Sequence, residues 1–366
     1  MKTLCRLALF LPGLLLAQPS WSGVSVQQVR GRCPACERPY QLGRFQFVTP
    51  LEGWATAFQI VVSDFHVSQS GGILHTSNGG KTWTPVPGVE TYGVDVQPAF
   101  WFINARKGWM GWMTVSEPLD HLIRTANGGR RWTKLPARTP GMWVHLRFFD
   151  SNLGYAVVST LHGPQFGITR NGGKTWVFRD DPQQAGLLYP DSMFFLNPQV
   201  GWIGGAMRQG PDLRPRLVRT VDGGGTWQEA SFPPSVVGNP WDLFFLDADR
   251  GWLVLGNANP TALLRTTDGG RTWSEDVTWV APGHSSFAHA VRYLSDRIGL
   301  VFVRGSASDD ADSTSTTADT AVLVTLDAGG TWNRYELPGP VQSCEVVVRE
   351  VWCTSGMNIL RIQVQR

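Results

Sequence analysis

The chain has 366 residues, enough to bury a large core, yet only 17% are charged, while tryptophan and glycine number 17 and 41. Sparse charge with many aromatics and turn glycines marks an all-β protein of short strands. A formal net charge of +3 is small for this length and gives no case for a nucleic-acid partner.

In chain order, the first feature is a targeting segment. Lys2 and Arg6 precede the apolar run from Leu7 to Ala17, and small residues then suit cleavage at Ala17 or Ser22. Residues 1–22 therefore read as a cleaved signal peptide, with 23–366 as the mature protein. The run is too short to span a bilayer and no later stretch is longer, so the mature chain is expected to be soluble, exported and periplasmic or extracellular. Cys5 is lost with the signal, leaving Cys33, Cys36, Cys344 and Cys353, an even number in a disulfide-permissive compartment.

An isolated β-like run, "VSVQQVR" (24–30), comes next, followed by "GRCPACERPYQLG" (31–43). Cys33 and Cys36 there admit three readings: a local disulfide, half a zinc site completed by Cys344, Cys353 or a histidine, or a redox pair. The last lacks the strand-to-helix context that such pairs use.

From residue 45 onward one unit recurs. An octet appears six times: "TSNGGKTW" (76–83), "TANGGRRW" (125–132), "TRNGGKTW" (169–176), "TVDGGGTW" (220–227), "TTDGGRTW" (266–273) and "TLDAGGTW" (325–332). Its fixed members are Asn78, Asn127, Asn171, Asp222, Asp268 and Asp327, and Trp83, Trp132, Trp176, Trp227, Trp273 and Trp332. A second motif alternates with it: an apolar strand, a tight turn and "GW", as in "FWFINARKGW" (100–109) and "LFFLDADRGW" (243–252). Each unit thus holds four antiparallel strands, the content of one propeller blade. The Asn or Asp is expected to accept from backbone N–H groups two or three residues on, with glycine supplying positive φ and the tryptophan packing over the turn while its N–H seeks a carbonyl. A feature used six times is a hairpin lock, not a catalytic centre.

A seventh unit begins with "SCEVVVREVW" (343–352) but has no octet, ending on "NILRIQVQR". Its fourth strand must come from elsewhere, and 24–30 is the free candidate. The fold expected is all-β: a single seven-bladed β-propeller, four antiparallel strands per blade, closed by the N-terminal strand pairing with the C-terminal strands. Cys344 and Cys353 then lie opposite each other across a hairpin, placed to bridge.

The octet resembles the Asp-box, or bacterial neuraminidase repeat, Ser/Thr-x-Asp/Asn-x-Gly-x-Thr-Trp, with Arg131 replacing the threonine in the second copy. Combined with a "GW" strand in nearly every unit, a signal segment and the length, it looks most like the photosystem II stability and assembly factor family and its bacterial relatives. That resemblance implies a binding scaffold for a protein partner in extracytoplasmic complex assembly or maturation, with no cofactor and no catalysis.

The octets and the "GW" turns are expected on one face, with the irregular segments 31–43, 208–216 and 305–319 on the other, the candidate partner face. In 208–216, Arg208, Arg214 and Arg216, with Arg219 after them, form a candidate clamp for an acidic partner, against the reading of an ordinary solvated loop. Asp309, Asp310 and Asp312 lack the spacing of a calcium loop, so no metal is expected. His145, Asp191, Trp241, Asp242 and His289 fall at starts of inner strands, near the channel mouth. The alternative to a scaffold is a glycan-active or glycan-binding propeller using aromatics such as Trp143 and Trp241. It lacks the arginine and tyrosine pattern of sialidases and any paired carboxylates at repeated spacing. A monomer is expected.

Overall fold

The computed structural model describes residues 23–36, 40–63, 66–92, 98–112, 121–136, 139–160, 163–179, 189–210, 212–256, 261–279, 286–305 and 320–365. Residues 1–22, expected to be a signal peptide, lie outside them, as do Asp309, Asp310 and Asp312 and the side chain of Asp191. Among the described residues, 28 strands form seven four-stranded sheets. Six sheets are consecutive meanders, with inner strands Gln41–Phe47, Ala99–Phe102, Met142–Phe148, Tyr189–Phe195, Asn239–Phe245 and Ser286–Tyr293 in blades 1 to 6.

Blade 7 is composite. Ser343–Val347, Glu350–Ser355 and Asn358–Val364 supply three strands, and Val24–Val29 adds the outer one antiparallel, in the register Val24↔Val364 to Val29↔Ile359. Gln365 N donates to Gly23 O at 2.7 Å beyond the last pair, and Leu42 N donates to Gly356 O at 2.8 Å. The ring closes as the sequence required, and no open edge is left in that sheet's third strand.

The "GW" dipeptide explains why neighbouring blades pack. A Cβ on Gly108 would lie 2.4 Å from the ring of Phe102, the last inner-strand residue of the same blade, so only glycine lets that ring lie flat. The same ring receives the tryptophan of the preceding blade. Trp54 stacks on Phe102, Trp109 on Phe148, Trp202 on Phe245 and Trp252 on Tyr293, with centroids 3.4–3.8 Å apart. Tyr155 meets Phe195 at 4.8 Å in the same role. The octet tryptophan approaches that phenylalanine edge-on, as Trp132 does Phe102 and Trp273 does Phe245.

The octet turn differs from the sequence expectation in its span. Its Asn or Asp accepts from the N–H four residues on: Thr82 N to Asn78 Oδ1 at 2.9 Å, Thr226 N to Asp222 Oδ1 at 2.8 Å. The threonine that opens the octet accepts from the second octet glycine, as in Gly80 N to Thr76 Oγ1 at 3.0 Å. The expected three-residue bond appears beside it in the blade 5 octet, Arg271 N to Asp268 Oδ1 at 3.0 Å, and the two- and three-residue pair recurs in the "GW" turn, where Asn104, Asp150, Asn197 and Asp247 each accept from both N–H groups. The indole donors also differ. Trp273 reaches the carbonyl of Gly270, but Trp83, Trp132 and Trp176 find no acceptor among the described residues. The "GW" indoles do reach across blades: Trp54 to Gly128 O, Trp109 to Gly172 O and Trp202 to Gly269 O, at 3.4, 3.0 and 2.8 Å.

Octets and "GW" turns share one face, tied by bonds such as Gly128 N to Arg106 O and Gly172 N to Asn152 O, both 2.9 Å. Both disulfides are formed. Cys344 and Cys353 are register partners inside the core, and Cys33–Cys36 closes a short turn against Leu42, Trp83 and Ile359.

Candidate binding site in the axial channel

The seven inner strands surround a cavity of about 460 Å³ on the propeller axis, and every blade contributes to its wall. Strands with alternating side chains would present a regular wall, but five of the seven inner strands carry a register shift, for example between Trp143 and His145 and between Pro240 and Asp242. Such bulges re-aim one side chain. In blade 5 the extra residue is Trp241, which is 37% exposed and lines the cavity. In blade 3 Trp143 precedes the bulge, so it turns away from His145 and is wholly buried, edge-on to Trp176 and over Gly111. Trp143 is therefore removed from the channel-mouth candidates, because the bulge breaks the alternation that placed it there.

The charged lining is Arg44, Arg147 and Arg292 against Asp242 and Glu345, with His145 and His289. Arg292 runs between three blades: Nη1 donates to Asp242 Oδ2 at 2.5 Å, Nη2 donates to the carbonyl of Cys344, and Glu345 Oε1 lies 3.8 Å away. Burial works to lower its pKa, but Asp242 and Glu345 together raise it above the ordinary value. Asp242 Oδ2 also accepts from Val291 N at 2.7 Å, so this carboxylate is committed to holding blades 5 and 6 together. Glu345 keeps half its side chain open to the channel, and burial of its surroundings pushes its pKa up against the pull of Arg292.

Arg147 stacks over Trp101 at 4.7 Å, and desolvation takes its pKa down to about 10 despite Glu345. Arg44 reaches from blade 1 to the carbonyl of Val144 in blade 3, at 3.1 Å. His289 Nε2 donates to Val341 O at 3.0 Å, and burial, then Arg304, brings its pKa to about 4, so it stays neutral. His145 likewise meets Pro190 O at 3.0 Å. Arg44, Arg147, Arg292 and Glu345 were missed by motif reading. Their signal was a charge in strands that are otherwise apolar.

The proposed arginine clamp does not assemble. Arg208, Arg214, Arg216 and Arg219 lie on paired strands, Gly201–Gln209 with Asp212–Thr220, rather than in a loop. Arg208 stands exposed near its tip. Arg214 donates to the carbonyls of Pro234 and Val236, and Arg216 holds Glu229 through two bonds of 2.8 and 3.2 Å. Arg219 is buried beneath the blade 5 octet at Gly269. No cluster of three or more His, Cys, Asp or Glu suited to a metal occurs among the described residues.

Fold and channel together define a seven-bladed β-propeller with a charged, aromatic-edged axial cavity. No protein-family model and no curated protein matches the chain. Among solved structures it is similar to YCF48 bound to a D1 peptide, with a TM-score of 0.62, 15% identity, and coverage of 95% of this chain and 98% of that one. YCF48 from Cyanidioschyzon merolae gives 0.57 at 16% identity over 93% and 98%. U3-55K gives 0.60 at 10% identity over 95% and 100%. At such identities the likeness establishes the fold alone. Among the described residues no helix is long and apolar enough to cross a membrane.

Proposed function

We propose that this chain is an exported, non-catalytic scaffold that binds a segment of a protein partner at the channel mouth, on the face opposite the octets, in extracytoplasmic complex assembly or maturation. The observation that carries the reading is the channel wall itself. Guanidinium groups of Arg147 and Arg44 and the rings of Trp101 and Trp241 line a space that admits a few side chains, while Asp242 is tied up in the frame. Such a mixture suits a peptide better than an acid–base pair suits a substrate. YCF48, alike in fold, holds a D1 peptide. Two disulfides fit an oxidising compartment, and removal of residues 1–22 on export belongs to the same reading.

Crosslinking mass spectrometry of envelope complexes captured on the mature protein tests it. Crosslinks should concentrate around Trp241 and Arg208, and Trp241→Ala should weaken capture about tenfold with Tm unchanged. Hydrolysis of any member of a chromogenic glycoside panel, lost in Asp242→Asn, would instead establish an enzyme.

A further inference from the structure

The face bearing the octets is divided by charge. Its turns and octets in blades 1–3 hold seven cations: Lys81 in blade 1, Arg106, Lys107, Arg130 and Arg131 in blade 2, and Arg170 and Lys174 in blade 3. Only Glu52 and Asp150 oppose them. All seven cations are exposed, and none forms an ion pair among the described residues. The matching segments of blades 4–6 hold six carboxylates: Asp222 in blade 4, Asp247, Asp249 and Asp268 in blade 5, and Asp296 and Asp327 in blade 6. Three cations, Arg250, Arg271 and Arg297, stand among them.

The octet does not need this division. Asn78, Asn127 and Asn171 accept the four-residue bond at 2.9, 2.9 and 3.0 Å, and Asp222, Asp268 and Asp327 accept it at 2.8, 3.0 and 2.8 Å. The threonine hydroxyl simply reverses, accepting from Asn78 Nδ2 and donating to Asp222 Oδ2. Amide and carboxylate build one turn, yet amides occupy the basic half and carboxylates the acidic half. The carboxylates are ionised at neutral pH, since turn bonds hold Asp268 and Asp327 near 2. Four of the most exposed large apolar side chains, Leu51, Val221, Leu326 and Val348, tip the same face.

We propose that this face binds a second copy of the chain, face to face about a two-fold axis lying in the interface, with the basic half of each copy over the acidic half of the other. A polyanion or an anionic bilayer would meet repulsion across blades 4–6, whereas a second copy matches both halves at once. The axis runs through blade 7 and the junction of blades 3 and 4. It brings blade 1 over blade 6, blade 2 over blade 5 and blade 3 over blade 4, and sets Val348, 77% exposed, near its own copy. The inference is independent of the channel reading, which uses the opposite face.

Sedimentation equilibrium of the mature chain tests it. A dimer should form at low salt and weaken at least tenfold between about 50 and 500 mM salt. Lys81→Glu with Arg130→Glu, and separately Asp249→Lys with Asp296→Lys, should each weaken self-association about tenfold or more, and mixing the two variants should restore a heterodimer. These side chains are exposed, and circular dichroism should show both variants folded. Val348→Asp should weaken the dimer without touching either charged half. Zero-length crosslinks between isotopically distinct copies should join Lys107 to Asp249 and Lys174 to Asp222. A monomer at every concentration and salt, or a dimer indifferent to both charge reversals, would overturn the proposal.

Discussion

One indole does two jobs in this protein. Trp109 stacks on Phe148 with centroids 3.8 Å apart and donates to the carbonyl of Gly172, so a single side chain ties blade 2 to both the inner strand and the octet of blade 3. Trp109→Phe keeps a ring on the stack but leaves that buried carbonyl without its donor. It should cost about 1–3 kcal/mol, read from urea unfolding. An unchanged midpoint would show that the stack alone holds the blades. Part of this scale was legible in the sequence: "GW" announced a strand that follows a tight turn. What sequence did not disclose was the partner of each ring, because stacking occurs between residues 39 to 48 positions apart.

Among elements, the octet turn makes the protein's acid response uneven. Asp222, Asp268 and Asp327 accept hydrogen bonds that depress their pKa values, the latter two to about 2 from an ordinary 3.8. A carboxylate with a depressed folded-state pKa stabilises the fold fully above its unfolded value, and that stabilisation is lost as pH falls through the folded value. Blades 4–6 should therefore lose octet stability as the pH drops below about 4, while the asparagine octets of blades 1–3 should not. The triple variant Asp222→Asn, Asp268→Asn, Asp327→Asn should show a Tm that falls less between about pH 5 and 2 than that of the parent. Equal slopes would mean that these turns do not contribute. The strand order and turn positions could be read from the repeat. The bulges that send Trp143 inward and Trp241 into the channel could not, since one extra residue in a ladder leaves no mark in composition.

Over the whole molecule, stability depends on the seam between the ends. The strand Val24–Val29 completes blade 7, and Arg32 continues it onto the first octet, where Arg32 N donates to Lys81 O and Trp83 N to Arg32 O. Deleting residues 23–36 should expose the edge of Asn358–Val364, lower Tm by several degrees and produce concentration-dependent aggregation in light scattering. A synthetic peptide of those residues should reverse the effect. A truncated chain that stayed monomeric with an unchanged Tm would mean the ring does not need its clasp.

The amino-acid sequence by itself determined the number of blades, the strand order within each, the ring closure and the Cys344–Cys353 pairing. Each of these is carried by residues close together in the chain or by a pattern repeated along it. Only the tertiary structure decided that Arg208, Arg214, Arg216 and Arg219 go separate ways, that Cys33 pairs with Cys36, and that Arg44, Arg147, Arg292 and Glu345 meet on one axis. A channel is built one side chain per blade, so its chemistry exists only once the ring has brought distant strands to a common centre. Local patterning specifies hairpins. Closure of the ring specifies the site.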